Sequence, residues 1–227
     1  KRLPKAKEII VTGTPTKVNK LNLSEEEINL KKEKLGFNKD LPLVLVFGGS
    51  QGARSINTSM TEIIQEKKNK NYQIMWAAGQ EQYEIVKDKL KEKNMDINNI
   101  KGIKVVPYIY EMEEIMNIAD LIVSRSGAMT VTEIEKVGKP AIFIPFPYAA
   151  ENHQEYNARA LEKKKAAKVI LDKDLTADVL NDNIINLTKD KEKLKEMGKR
   201  ANEMSIKNVE NKIYSEIKRG NKNGRQI

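Results

Sequence analysis

Three stretches of this 227-residue chain combine small residues, hydroxyls, amides and a few charges, each where an apolar run gives way to a helical pattern. The first is Gly48-Gly49-Ser50-Gln51-Gly52, after Leu43–Phe47. Glycines let the backbone approach a ligand closely, and the first N–H groups of a following helix suit a phosphate. Ser50 and Gln51 add two polar donors. The duller reading is a tight turn with no ligand. The second stretch runs from Ser124 to Glu133. Its small residues and helix start make a second anion site from N–H groups and the helix dipole. Arg125 suits a phosphate or a neighbouring acid. Glu133, about one turn beyond Met129, suits the two hydroxyls of a ribose, or complements the dipole as an early helix residue. The third stretch is Asn152-His153-Gln154-Glu155-Tyr156-Asn157-Ala158, whose donors and acceptors suit hydroxyls. His153, the one histidine, is a candidate general base or a helix-start residue with a satisfied ring.

Several familiar chemistries are missing. The glycine loop is not G-x-G-x-x-G, and Lys67 and Lys68 stand where a dinucleotide site needs an acid. There is neither a phosphate-binding G-x-x-x-x-G-K-[ST] loop nor a G-x-S-x-G elbow. The chain has no cysteine, which removes disulfides, thiolate metal sites and a cysteine nucleophile. No Asp-x-Asp pair ends a strand; Asp172-Lys173-Asp174 has that spacing after the last strand and reads as solvated turn residues. No metal or cofactor is expected.

The elements that must hold these stretches alternate. Strands are predicted at Glu8–Thr12, Leu43–Phe47, Tyr72–Ala77, Ile103–Val106, Asp120–Ser124, Pro140–Ile144 and Ala167–Leu171. Helices are predicted from the Ser24-x-x-Glu27 capping box to Gly36, then over Ala53–Lys68, Gln80–Lys93 and Tyr110–Ile118. Others follow Gly127 as far as Val137 and begin near Asn152, and three more polar ones run to about Lys218. Such alternation implies right-handed crossovers and an α/β doubly wound parallel sheet, a Rossmann-like domain whose ligands sit at the carboxyl ends of the strands.

Net charge is +9, which invites a nucleic-acid reading. The distribution argues against nucleic acid. Residues 1–40 hold ten basic and six acidic side chains, residues 191–227 eleven and five, and the 150 between them 20 and 21. Basic ends on a neutral body suit solvated helices, a partner or an anionic membrane surface. No run is apolar enough to span a membrane, and no secretory leader is expected.

Taken together, Thr12-Gly13-Thr14-Pro15, the Phe47–Asn57 run, the Ser124–Ile134 run and Pro140 through Ala158 resemble, in order, the carboxyl-terminal half of the MurG family of peptidoglycan N-acetylglucosaminyltransferases. The resemblance implies the donor half of a GT-B glycosyltransferase that takes UDP-N-acetylglucosamine. In that reading the backbone of Ile109 holds the uracil. Ala128, Met129 and Thr130 line the diphosphate, and Glu133 binds the ribose. Gln154, with His153 and Asn157, reads the sugar. Ser50 and Gln51 face an interdomain cleft, and Arg125 accompanies the second turn. The acceptor is a lipid-linked muramyl-peptide, and the location is peripheral, on the cytoplasmic face of the cell membrane. Residues 1–20 become an interdomain linker with a short strand, 21–204 the nucleotide-sugar domain, and 205–227 a terminal helix and basic tail. The candidate base belongs to an amino-terminal domain absent from this sequence. Where the family often reads Gly-Asn-Pro-Val-Arg, this chain reads Gly13-Thr14-Pro15-Thr16-Lys17, and Lys17 lacks the arginine fork. The alternatives are a related UDP-sugar enzyme, such as a lipid galactosyltransferase or an epimerase, and a non-catalytic nucleotide-binding module.

Overall fold

The computed structural model describes residues 9–223. Six parallel strands form one sheet: β1 (Leu43–Phe47), β2 (Gln73–Ala77), β3 (Ile103–Val106), β4 (Leu121–Ser124), β5 (Ala141–Phe143) and β6 (Ala167–Val169). Their order across the sheet is β3-β2-β1-β4-β5-β6. The chain therefore winds outward in one direction from β1 to β3, then returns and winds the other way from β4. The reversal lies between β1 and β4, where Phe47 stands beside Ser124. In such sheets the crevice outside the carboxyl ends at the reversal is the ligand position.

The strand sequences follow from this placement. β1 and β2 are central and buried at every residue, as an unbroken apolar run demands. The edge strands β3 and β6 each turn one lysine outward, Lys104 and Lys168, which discourages further pairing.

Nine helices are described. On one face α2 (Arg54–Gln65), α3 (Tyr83–Lys91), α7 (Ala177–Thr188) and the first part of α8 (Lys191–Met204) cover Val44, Val46, Ile74 and Trp76. On the other, α1 (Glu25–Lys34), α4 (Met112–Ile118), α5 (Ala128–Val137) and α6 (His153–Lys163) cover Leu45, Phe47, Ile122 and Phe143. The last helix, α9, spans Val209–Asn223 and leaves Tyr214 and Ile217 exposed. Among the described residues no helix is long and apolar enough to cross a membrane. The predicted capping box is present: Glu27 N donates to Ser24 Oγ at 3.2 Å, and Ser24 N to Glu27 Oε2 at 2.7 Å.

One expected strand is missing. Ile9–Thr12 is not a strand, and Glu8 lies outside the described residues. Ile9 and Val11 are exposed, and the run pairs with none of the six strands of the sheet. The segment from Thr16 to Leu21 is fastened to the domain. Val18 is buried, Asn19 N donates to Glu113 Oε1 at 2.7 Å, and Leu21 N donates to Asn117 Oδ1 at 2.8 Å.

Candidate functional site at the carboxyl ends of the strands

The loops after β1, β4, β5 and β6 surround a cleft of about 940 Å³. Its floor is set by glycines. A Cβ on Gly48 would stand 2.3 Å from Ala53 Cβ, so only glycine permits the turn from β1 into α2. Gly52 (φ +88°) and Gly79 (φ +92°) pack so closely that a Cβ on Gly79 would meet Gly52 N at 2.2 Å. Gly79, in the loop after β2, thus belongs to the same construction, although its own surroundings in the sequence carry no motif.

Both helices at the reversal begin without a side-chain cap. The N-cap of α2 is Ala53 and that of α5 is Gly127, and neither has a side chain to offer. The N–H groups of Ala128, Met129 and Thr130 therefore have no partner among the described residues. Ala128 and Met129 are exposed and Thr130 is half-buried. Three open donors at the positive end of a helix favour an anion.

Arg125 lies under the cleft, and the structure gives it a neighbouring acid. Its Nη1 donates to Asp172 Oδ1 at 2.5 Å and to the carbonyls of Ile144 and Pro145 at 3.1 Å each. Its Nη2 donates to Ser55 Oγ at 3.0 Å, and Ser55 Oγ donates to Asp172 Oδ1 at 2.6 Å. The guanidinium also stands over the Phe146 ring, 5.5 Å from its centre. One arginine thus ties the starts of α2 and α5 to the ends of β5 and β6. The reading of Asp172 as a solvated turn residue is corrected: only 22% of its side chain is exposed, and it receives both Arg125 and Ser55. Among the described residues no group of three or more His, Asp and Glu side chains is arranged to hold a metal.

The start of α6 braces the turn after β4. Gln154 Oε1 accepts from Phe146 N at 3.0 Å and from Ser126 N at 3.3 Å, and Gln154 O accepts from Ser126 Oγ at 2.8 Å. Asn157 Nδ2 donates to Ser126 O at 3.1 Å. Gln154 lines the cleft with its Nε2 unpartnered among the described residues. Asn157, expected beside it at the sugar, spends its amide nitrogen on the loop. His153 is exposed and its Nδ1 donates to Ala150 O at 2.8 Å, which leaves Nε2 without a partner among the described residues. Glu151 and Asn152 precede it with φ of +50° and +53°, two consecutive strained residues that aim the helix start.

Glu133 stands outside the cleft, one turn along α5. Its Oε1 accepts from Thr16 Oγ1 at 3.0 Å. Burial pushes its carboxyl above the usual range, and the Thr16 hydroxyl pulls it back. Ile109, in the loop after β3, buries its side chain and leaves its backbone N–H and C=O without partners among the described residues. Of the residues expected to bind, Gln51, Arg125, Thr130 and Gln154 line the cleft. Ser50 is exposed beside it, and its carbonyl accepts from Gln80 N at 3.2 Å. Ser55, Phe146 and Tyr148, which lie inside the motif runs but were given no role of their own, also line it, as does Asp172.

A doubly wound parallel sheet with uncapped helix starts at its reversal defines a Rossmann-like α/β domain. The chain belongs to the glycosyltransferase family 28 C-terminal domain, whose family model matches residues 43–213. It is 42% identical over 213 residues to the UDP-N-acetylglucosamine--N-acetylmuramyl-(pentapeptide) pyrophosphoryl-undecaprenol N-acetylglucosamine transferase of Acetivibrio thermocellus, covering 93% of this chain and 55% of that one. It is equally identical, 42% over 218 residues, to the protein of the same name from Caldanaerobacter subterraneus, covering 96% of this chain and 58% of the relative. Among solved structures, MurG of Acinetobacter baumannii superimposes with a TM-score of 0.69 at 28% identity, over 83% of this chain and 53% of that chain. The chain thus spans about half the length of the relatives it matches.

Proposed function

We propose that this chain is the donor-binding half of a glycosyltransferase that moves N-acetylglucosamine from UDP-N-acetylglucosamine to a lipid-linked muramyl-peptide. The observation that carries the reading is the turn from β4 into α5: three open N–H groups with a carboxylate one turn beyond them, in a chain 42% identical to enzymes named for this transfer. The diphosphate lies against Ala128, Met129 and Thr130, the ribose hydroxyls on Glu133, and the uracil on the backbone of Ile109. Gln154 Nε2 and His153 Nε2 face the sugar. Arg125 acts chiefly by fixing the loops.

The reaction is an inverting displacement. The acceptor hydroxyl oxygen bonds to the anomeric carbon, the bond from that carbon to the diphosphate oxygen breaks, and the acceptor proton passes to a base supplied by the other half of the enzyme. Negative charge grows on the departing UDP. Fixed N–H dipoles at the start of α5 stabilise that charge without reorganising. The basic ends of the chain favour a peripheral place on an anionic membrane surface, where a lipid acceptor resides.

Calorimetric titration with UDP-N-acetylglucosamine, UDP-galactose, UDP and NAD tests the reading. Binding of the UDP compounds, UDP-N-acetylglucosamine above UDP-galactose, and none of NAD is expected. Failure of every UDP compound to bind overturns it. Equal affinity for the two sugars retains the nucleotide site and overturns the choice of sugar.

A further inference from the structure

The bond between Thr16 and Glu133 joins residues 117 apart in the sequence, and nothing in the local pattern of either foretells it. Thr16 lies ahead of α1, in the segment fastened to α4. Its hydroxyl is engaged twice. It accepts from Val18 N at 3.2 Å and donates to Glu133 Oε1 at 3.0 Å. Because Val18 N–H occupies a lone pair, the hydroxyl proton is left to point at the carboxylate. The carbonyl of Thr16 accepts from Lys136 Nζ at 3.3 Å, so the residue is held at both its backbone and its side chain. The segment is pinned further by the buried Val18 and, on the other side, by Gly13, where a Cβ would stand 2.9 Å from Val209 and 3.2 Å from Ile206.

Thr16 therefore offers Glu133 a fixed donor rather than a mobile one. Glu133 uses Oε1 for that bond, and its Oε2 has no partner among the described residues. A half-buried carboxylate without a donor would lose much of its tendency to ionise; the hydroxyl opposes that loss. The valine that the family pattern often carries at this place has the same shape and no hydroxyl.

We propose that Thr16 is a positioning residue for the nucleotide: by holding Glu133 Oε1, it presents Oε2 to the ribose diol. The proposal rests on the ribose role of Glu133 given above and adds to it a residue outside the cleft, from the segment that precedes the domain. A purely structural staple would make the same bond to fasten that segment, so the test must separate the two.

The test compares Thr16→Val and Thr16→Ser with the unaltered chain, using two probes, UDP and 2′,3′-dideoxyuridine diphosphate, together with the melting temperature of each variant. Loss of one charge-assisted hydrogen bond behind the ligand predicts that Thr16→Val weakens UDP by about five- to tenfold. It is expected to leave the dideoxy probe within about twofold, because that probe has no hydroxyls for Glu133 to receive. Thr16→Ser, which keeps the donor, restores UDP to within about twofold of the unaltered chain. Equal weakening of both probes by Thr16→Val overturns the proposal in favour of a staple. So does unchanged UDP affinity in Thr16→Val while Glu133→Ala still weakens UDP, and in that case the ribose reading survives. If Glu133→Ala binds UDP as well as the unaltered chain does, the ribose reading falls and the role of Thr16 falls with it.

Discussion

The two ends of the sheet use the same kinds of side chain in opposite ways. At the amino ends of the strands, Gln73 is buried and its amide is used up: Oε1 accepts from Asn38 N at 2.7 Å, and Nε2 donates to Asn38 O at 2.8 Å and Leu41 O at 3.3 Å. Nearby, Asp120 Oδ2 accepts from the buried Lys32 at 2.6 Å and from Leu43 N at 2.7 Å. At the carboxyl ends, Gln154 holds two loop N–H groups with its oxygen and keeps its nitrogen free. The start of α5 keeps three donors free, Ile109 keeps its peptide groups free, and Glu133 keeps one oxygen free. Polar groups that only hold a fold together are satisfied within it. A site is where the fold stops satisfying them and fixes them instead.

Breaking the amino end should cost stability and spare binding. Asp120→Ala leaves Lys32 buried without its partner, and a loss of about 3 kcal/mol is expected in denaturant unfolding, with UDP affinity of the folded protein unchanged. Breaking the carboxyl end at Glu133 should do the reverse. Glu133→Ala is expected to weaken UDP by about 2 kcal/mol, roughly thirtyfold, while moving the melting temperature little. A collapse of the melting temperature would return Glu133 to the role of a helix residue only. Arg125→Lys sits between the two. It keeps the charge but cannot serve Asp172, Ser55 and two carbonyls together, so about 1.5 kcal/mol of stability and part of the affinity should go in one variant.

The smallest effect concerns Glu135, whose carboxyl burial pushes up to about 7. The unfolded chain loses this proton near the usual carboxylate range, whereas the folded chain keeps it until about pH 7, so stability falls as pH rises between those values. Glu135→Gln removes that dependence. Allowing for partial solvent screening, it should stabilise the protein by about 1 kcal/mol at pH 8 and hardly at all at pH 4, read by unfolding at the two pH values.

Much of this was legible in the sequence because it is local. The apolar run Leu43–Phe47 could only be a buried strand, and the small residues of Ser126–Ala128 at a helix start announced its open N–H groups. The order of such units gave the winding. What was not legible depends on partners far along the chain. Asp172 looked solvated until Arg125, 47 residues away, was brought against it. Lys32 is one of several lysines in α1, and nothing near it in the chain points to Asp120, 88 residues away, as its partner. The Ile9–Thr12 run has strand composition, but a strand also needs a partner strand beside it, and composition does not record where the fold carries a segment. Thr16 stands beside Lys17 in a motif read for its charge, and only the geometry gives its hydroxyl a destination, 117 residues along the chain.

Amide hydrogen exchange with and without UDP tests most directly that the nucleotide lies at the carboxyl ends, against α5. Protection on adding UDP is expected at Ala128, Met129, Thr130 and Ile109, with none in the loops at the amino ends around Asn38–Leu41 and Lys67–Asn71. Protection confined to those amino-end loops, or none at Ala128–Thr130 under saturating UDP, would contradict it.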